Sequence, residues 1–129
     1  MTTKLATRPL AGATSFIPKE VTKQEIAAAA AAAIRIKFPG FSKLKSISLG
    51  ETLELDELRA LPVRGSALES VAMAAHALGA VKDVPNTIGD TMDAAHLTEG
   101  DVHELACDCK GDRTTVTALG TLDRIAGEA

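Results

Sequence analysis

No tryptophan and no tyrosine occur in these 129 residues, and phenylalanine appears only as Phe16, Phe38 and Phe41. A core must therefore be built from alanine, leucine, isoleucine and valine. Small side chains each bury little area, and at about 25 cal/mol per Å² the hydrophobic term is modest. The same shortage removes the stacking platform on which single-stranded nucleic acid is held. Only two cysteines are present, Cys107 and Cys109, too few and too close to form a disulfide framework. No apolar run approaches the ~18 residues that a membrane-spanning helix needs. The N-terminal stretch with Lys4, Arg8, Pro9, Gly12 and Pro18 lacks a continuous apolar segment of secretory type. These absences lead to the expectation of a cytoplasmic protein with no membrane partner.

Charge is present but divided. Residues 1–45 carry eight Lys/Arg and two Glu, a net of +6, while residues 46–129 carry six Lys/Arg and fifteen Asp/Glu, a net of −9. A basic arm lying on its own acidic domain, or solvating itself, is the plain reading. The alternative is that arm or body meets a charged partner. Nucleic acid is not expected as that partner, because the acidic body repels phosphate.

The length suits one domain with tails. Residues 1–21 read as a flexible basic arm and 22–129 as a single small α+β domain. Thr22 and Glu25 form a capping box ahead of Ile26 and seven consecutive alanines, so a helix is expected over 22–33. It has almost no amphipathic pattern. An alanine face permits close backbone approach, but the tract reads more readily as a low-complexity spacer.

Strands are expected over 34–58. Ile34, Ile36 and Phe38 alternate with Arg35 and Lys37, ending at Pro39-Gly40. Segments 44–49 and 53–58 then alternate around Gly50. A three-residue loop pairs Leu49 with Leu53 and Ile47 with Leu55, which places all four apolar residues on one face. The fold class so implied is α+β: a short N-terminal hairpin or three-stranded element followed by three to four helices.

The helical part is expected over 66–126. Ser66 and Glu69 cap a helix over 67–78 whose Leu68, Val71, Ala72, Ala75 and Leu78 share a face, with Gly79 as its stop. Thr87 with Asp90 caps a short helix carrying Ile88, Met92 and Ala95. Thr98 with Asp101 caps another carrying Val102, Leu105 and Ala106. Val116, Leu119, Leu122 and Ile125 mark a last helix, weakened by Gly120.

No constellation of residues points to catalysis, and no phosphate loop or dinucleotide fingerprint is present. His96, His103, Cys107 and Cys109 are the best candidate ligands for a metal. His103 and Cys107 are four residues apart, on one helical face, and zinc accepts both donor types. The spacing matches no common zinc motif, so no metal and no cofactor are expected. His76 lies among alanines and reads as a partly exposed face residue. The pairs Asp56/Glu57, Asp90/Asp93 and Asp101/Glu104 sit at helix starts or on charged faces, where the helix dipole explains them.

Three segments carry a resemblance: Leu61-Pro62-Val63-Arg64, then Val71 through Leu78-Gly79, then Leu97-Thr98-Glu99-Gly100-Asp101-Val102-His103-Glu104-Leu105. With the expected β element before them, their order is similar to that of small phage tail assembly chaperones encoded beside the tape-measure gene. The match covers about half the chain, and departs from that pattern in the basic arm, the alanine tract and the cysteine-bearing end. The resemblance implies a non-enzymatic protein that binds the tape-measure protein, keeps its apolar helices in solution and helps recruit tail-tube subunits. It places partner binding at Arg64, Asp101 and Glu104. Two other classes remain: a small interaction or adaptor domain that packs against a copy of itself, and a metal- or thiol-dependent protein using the 96–109 cluster. Oligomeric state is not legible.

Overall fold

The computed structural model describes residues 16–37, 44, 54–106 and 115–128. Within them the chain forms six helices: α1 (Lys23–Lys37), α2 (Leu55–Ala60), α3 (Ala67–Ala77), α4 (Ile88–Ala95), α5 (Glu99–Ala106) and α6 (Thr115–Ala126). α1 packs most extensively on α6 and α3, α3 on α4 and α5, α5 on α6, and α2 on α4.

The expected α+β class is overturned. Among the described residues there is no strand, only an isolated antiparallel bridge between Pro62 and Thr87. Residues 34–37, read as a strand, are the last turn of α1. The alanine tract before them is the strongest helix-forming sequence in the chain. Once a helix is nucleated, each further residue adds a hydrogen bond at little cost, and that outweighs the weak preference of two isoleucines for a strand. Burial shows the change of period: Ile34 is fully buried while Ile36 is 82% exposed, though a strand would put both on one face.

Residues 55–58, read as the second hairpin strand, belong to α2. Glu54 and Glu57 form a reciprocal capping box, with the Glu57 carboxylate accepting the Glu54 N–H at 3.1 Å. Leu55 is then exposed and Leu58 buried, the helical outcome. The hairpin's other parts, including Ile47, Leu49, the turn at Gly50 and Leu53, lie outside the described residues. So do residues 1–15 of the arm.

The alanine tract is a core element and not a spacer. Ile26, Ala27, Ala30, Ala31 and Ile34 recur at helical spacing and are all buried. Methyl groups in the middle of this stripe let α1 lie close to α3 and α6, and α3 meets it with small residues of its own. The capping box at its start is formed in full: Thr22 Oγ1 accepts the Glu25 N–H at 3.0 Å, and Glu25 Oε1 accepts the Thr22 N–H at 2.9 Å.

The later helices follow the expected order. Ser66 Oγ accepts the Leu68 N–H at 3.2 Å, while Glu69 reaches one residue further back than a simple box and accepts the Gly65 N–H. Leu68, Val71, Ala72 and Ala75 are buried, and Leu78 packs against them half-buried. Gly79 stops α3 at φ +89°, and the Ala80 N–H donates to the Ala75 carbonyl, satisfying a terminal acceptor. Thr87 and Thr98 cap α4 and α5 through the N–H groups of Asp90 and Asp101. Leu122 and Ile125 of α6 are fully buried. No described helix is long and apolar enough to cross a membrane.

Candidate functional site

Asp101 and Glu104, two of the three residues expected to meet a partner, are engaged by cations of this chain. Asp101 is only 7% exposed. Its Oδ2 accepts the Thr98 N–H at 2.9 Å and lies 2.7 Å from Lys23 Nζ, at the entrance of α1. Arg124 of α6 stands 4.0 Å from the other oxygen, and donates to Glu104 at 3.0 Å and to Glu128 at 2.8 Å. The group thus joins the starts of α1 and α5 to the end of α6. Burial pushes the Asp101 carboxyl pKa up. The Lys23 ammonium and the Thr98 N–H and hydroxyl outweigh it, so the net direction is down. Arg64, the third residue, is exposed on the turn into α3, beside Gly65 at φ +81°.

The candidate metal ligands are not assembled by the described part of the fold. His96 ends α4 in the left-handed region, φ +60°, and is exposed. His103 lies half-buried on α5, and Cys107 and Cys109 lie outside the described residues. Among the described residues no three His, Cys, Asp or Glu side chains are grouped to hold a metal ion. His76 is exposed, its Nδ1 3.4 Å from the Val81 carbonyl oxygen.

Two concavities stand out. The first is an apolar cleft of 330 Å³ between α1 and α3, lined by Ala29, Ala33, Met73, Ala74 and Ala77, with Leu44 at its edge. Lys37 and Glu69 supply charge at its rim, and Met73 is 53% exposed. Its lining comes from helical spacing on two elements, 29/33/37 on α1 and 73/77 on α3. The sequence carries that spacing, but a uniform run of alanines does not mark which of its faces packs and which lines a cleft.

The second is a wider groove of 1060 Å³ bounded by residues 19–22, the loop 80–86 and the outer face of α4. Its sides are fixed by backbone bonds: the Lys19 N–H donates to Gly79 O at 2.9 Å, and the Val63 N–H to Asn86 O at 3.2 Å. Arg59 reaches across Gly89 to Asp93 at 2.7 Å and ties α2 to the α4 side. That hydrogen bond holds the Asp93 carboxyl below its ordinary pKa and the Arg59 guanidinium above its own. Pro85 and Asn86 had signalled only a chain break, and Asp90 and Asp93 only a helix start. Their common groove depends on how the loop folds back.

Taken together, the described residues define a small helical module with these concavities on its surface, and among them no three His, Cys, Asp or Glu side chains are grouped to hold a metal ion. Comparison with protein-family models, with curated proteins and with solved structures gives no match to this chain.

Proposed function

We propose that this chain is a non-enzymatic protein-binding module, and that within this class it serves as a phage tail assembly chaperone for the tape-measure protein. The apolar cleft between α1 and α3 is the observation that carries the reading. An amphipathic helix binds by laying its apolar face in such a groove. Alanine walls let the guest backbone come close, and the exposed Met73 is unbranched and adapts to varied side chains. A cleft without an aromatic side chain among its described lining residues holds loosely, as suits a chaperone that must later be displaced. One wall is α3, whose residues from Val71 onward fall in a segment that carries the resemblance, and Arg64 stands exposed just before α3.

The test is coexpression with the tape-measure product of the same gene cluster, followed by an assay for soluble complex without nucleotide or added metal. The chain should raise the partner's solubility, and Ala33→Glu with Met73→Glu should abolish the gain. Arg64→Glu should weaken association and reduce its dependence on salt. No gain in partner solubility, or no tail genes beside this one, would remove the tail assignment and leave an adaptor domain.

A further inference from the structure

Among the described residues the wider groove shares no lining residue with the α1/α3 cleft. Val81, Val84 and Ala94 give it an aliphatic floor, and Val84 is 44% exposed, a large apolar side chain left facing water. Glu20, Asp83, Asp90 and Asp93 stand around that floor, against Lys19 as the one Lys or Arg among its described lining residues. Asp93 is held by Arg59, but Glu20, Asp83 and Asp90 form no ion pair among the described residues. Glu20 and Asp83, without an ion-pair partner among the described residues, and Asp90, reached only by the longer-range field of Arg59, stand around exposed aliphatic surface and complement a chain that carries the opposite charge beside apolar groups. At 1060 Å³ the groove is too large for one small cation, and its sign repels phosphate. Its backbone-fixed sides mean that little ordering is needed when a guest arrives.

We propose that this groove docks a basic segment of a partner polypeptide, in which Lys or Arg side chains meet Glu20, Asp83 and Asp90 while an aliphatic side chain between them covers Val84. This deepens the protein-binding reading and rests on it, but not on the tail assignment or on the α1/α3 cleft. A segment so bound has two separable parts. The charged contacts speed encounter and weaken with salt, and the aliphatic contact persists.

Two synthetic 14-residue peptides test it with the full chain. One combines lysine and leucine, and the other carries glutamate at every lysine position. Titration calorimetry gives the affinity, and methyl NMR locates the site. The lysine peptide should shift the Val81, Val84 and Ala94 methyls and leave Met73 unmoved. Glu20→Lys with Asp83→Lys should weaken binding at least tenfold, since both residues are exposed outside helices and the fold should be retained. Asp56→Lys with Glu99→Lys, the same charge change away from the groove, should alter binding less than twofold. Equal weakening by both pairs would reduce the effect to general charge attraction and overturn the proposal, as would equal binding of the glutamate peptide or shifts confined to Met73 and Ala77. Dimerisation on concentration, abolished by Glu20→Lys with Asp83→Lys, would overturn it in favour of a second copy of this chain. Failure here with a soluble tape-measure complex intact would refute this groove alone.

Discussion

Gly120 sits inside α6, and among the described residues no neighbour beyond its own stretch of helix comes within 4 Å of where a Cβ would stand. It has the entropic cost of glycine in a helix, with no packing reason for it among the described residues. Gly120→Ala should stabilise the protein by about 0.5–1 kcal/mol, read as a higher urea midpoint at unchanged slope. Gly89 is the opposite case. A Cβ there would come within 2.8 Å of Arg59 Cβ, and the base of a side chain cannot swing away. Gly89→Ala should therefore destabilise by about 1–3 kcal/mol, and α2 must move off α4 to make room. Matched urea melts of the two variants would check both, and Gly89→Ala melting like the parent would refute the close approach. In the sequence Gly89 and Gly120 have equal standing as glycines within helical segments. Only the neighbour across the interface distinguishes them.

At the scale of the element, α1 decides between spacer and core. Ala30 is fully buried and Ala32 exposed, two residues apart in one uniform tract. Ala30→Leu should cost about 1–3 kcal/mol by overpacking against its neighbours. Ala32→Leu should stay within about 0.5 kcal/mol of the parent. Equal thermal melts for the pair would refute the packed stripe. The start of α3 offers a second test. Ser66 Oγ accepts from Leu68 and donates to the Val63 carbonyl at 2.7 Å, and the residue is buried. Ser66→Ala should cost about 1–2 kcal/mol, at the upper end for a cap because the freed groups are sheltered from water. A chemical melt of the variant reads it directly, and a loss under 0.3 kcal/mol would exclude the role.

The ion group around Asp101 acts on the whole molecule, since it fastens α5 to α1 and α6. Its carboxyl pKa is lower in the folded chain than in the unfolded one. The linked stability is therefore complete above the ordinary carboxylate range and is lost as pH falls through the folded value, below about pH 4. Asp93 and Glu25 shift the same way and add to the trend. Urea midpoints measured from pH 6 down to pH 2.5 should fall steeply for the parent. Asp101→Asn should be less stable at pH 6 and lose less on acidification. Parallel curves would show that Asp101 does not carry the acid sensitivity.

Local chemistry in the sequence determined the ends of helices. Thr22, Ser66, Thr87 and Thr98 each receive an N–H within three residues, and Gly79 turns the chain where left-handed geometry is needed. Such bonds span one turn, so the residues that make them are adjacent in sequence. The faces of α3, α4 and α5 were legible for the same reason, because their leucines, valines and isoleucines mark a stripe. What failed was the stretch where period was ambiguous. Ile34-Arg35-Ile36-Lys37 alternates like a strand, and the helix arriving from the alanines overrides it. A run of seven alanines cannot mark its own buried side, and only contact with α3 and α6 selects Ala27, Ala30 and Ala31. The candidate site divides the same way. Asp101 was visible as a cap, but not as the partner of Lys23, 78 positions away. The groove needs residues 19–22 brought beside 80–96, and that juxtaposition arises only when the core closes, because closure fixes which distant backbones lie side by side.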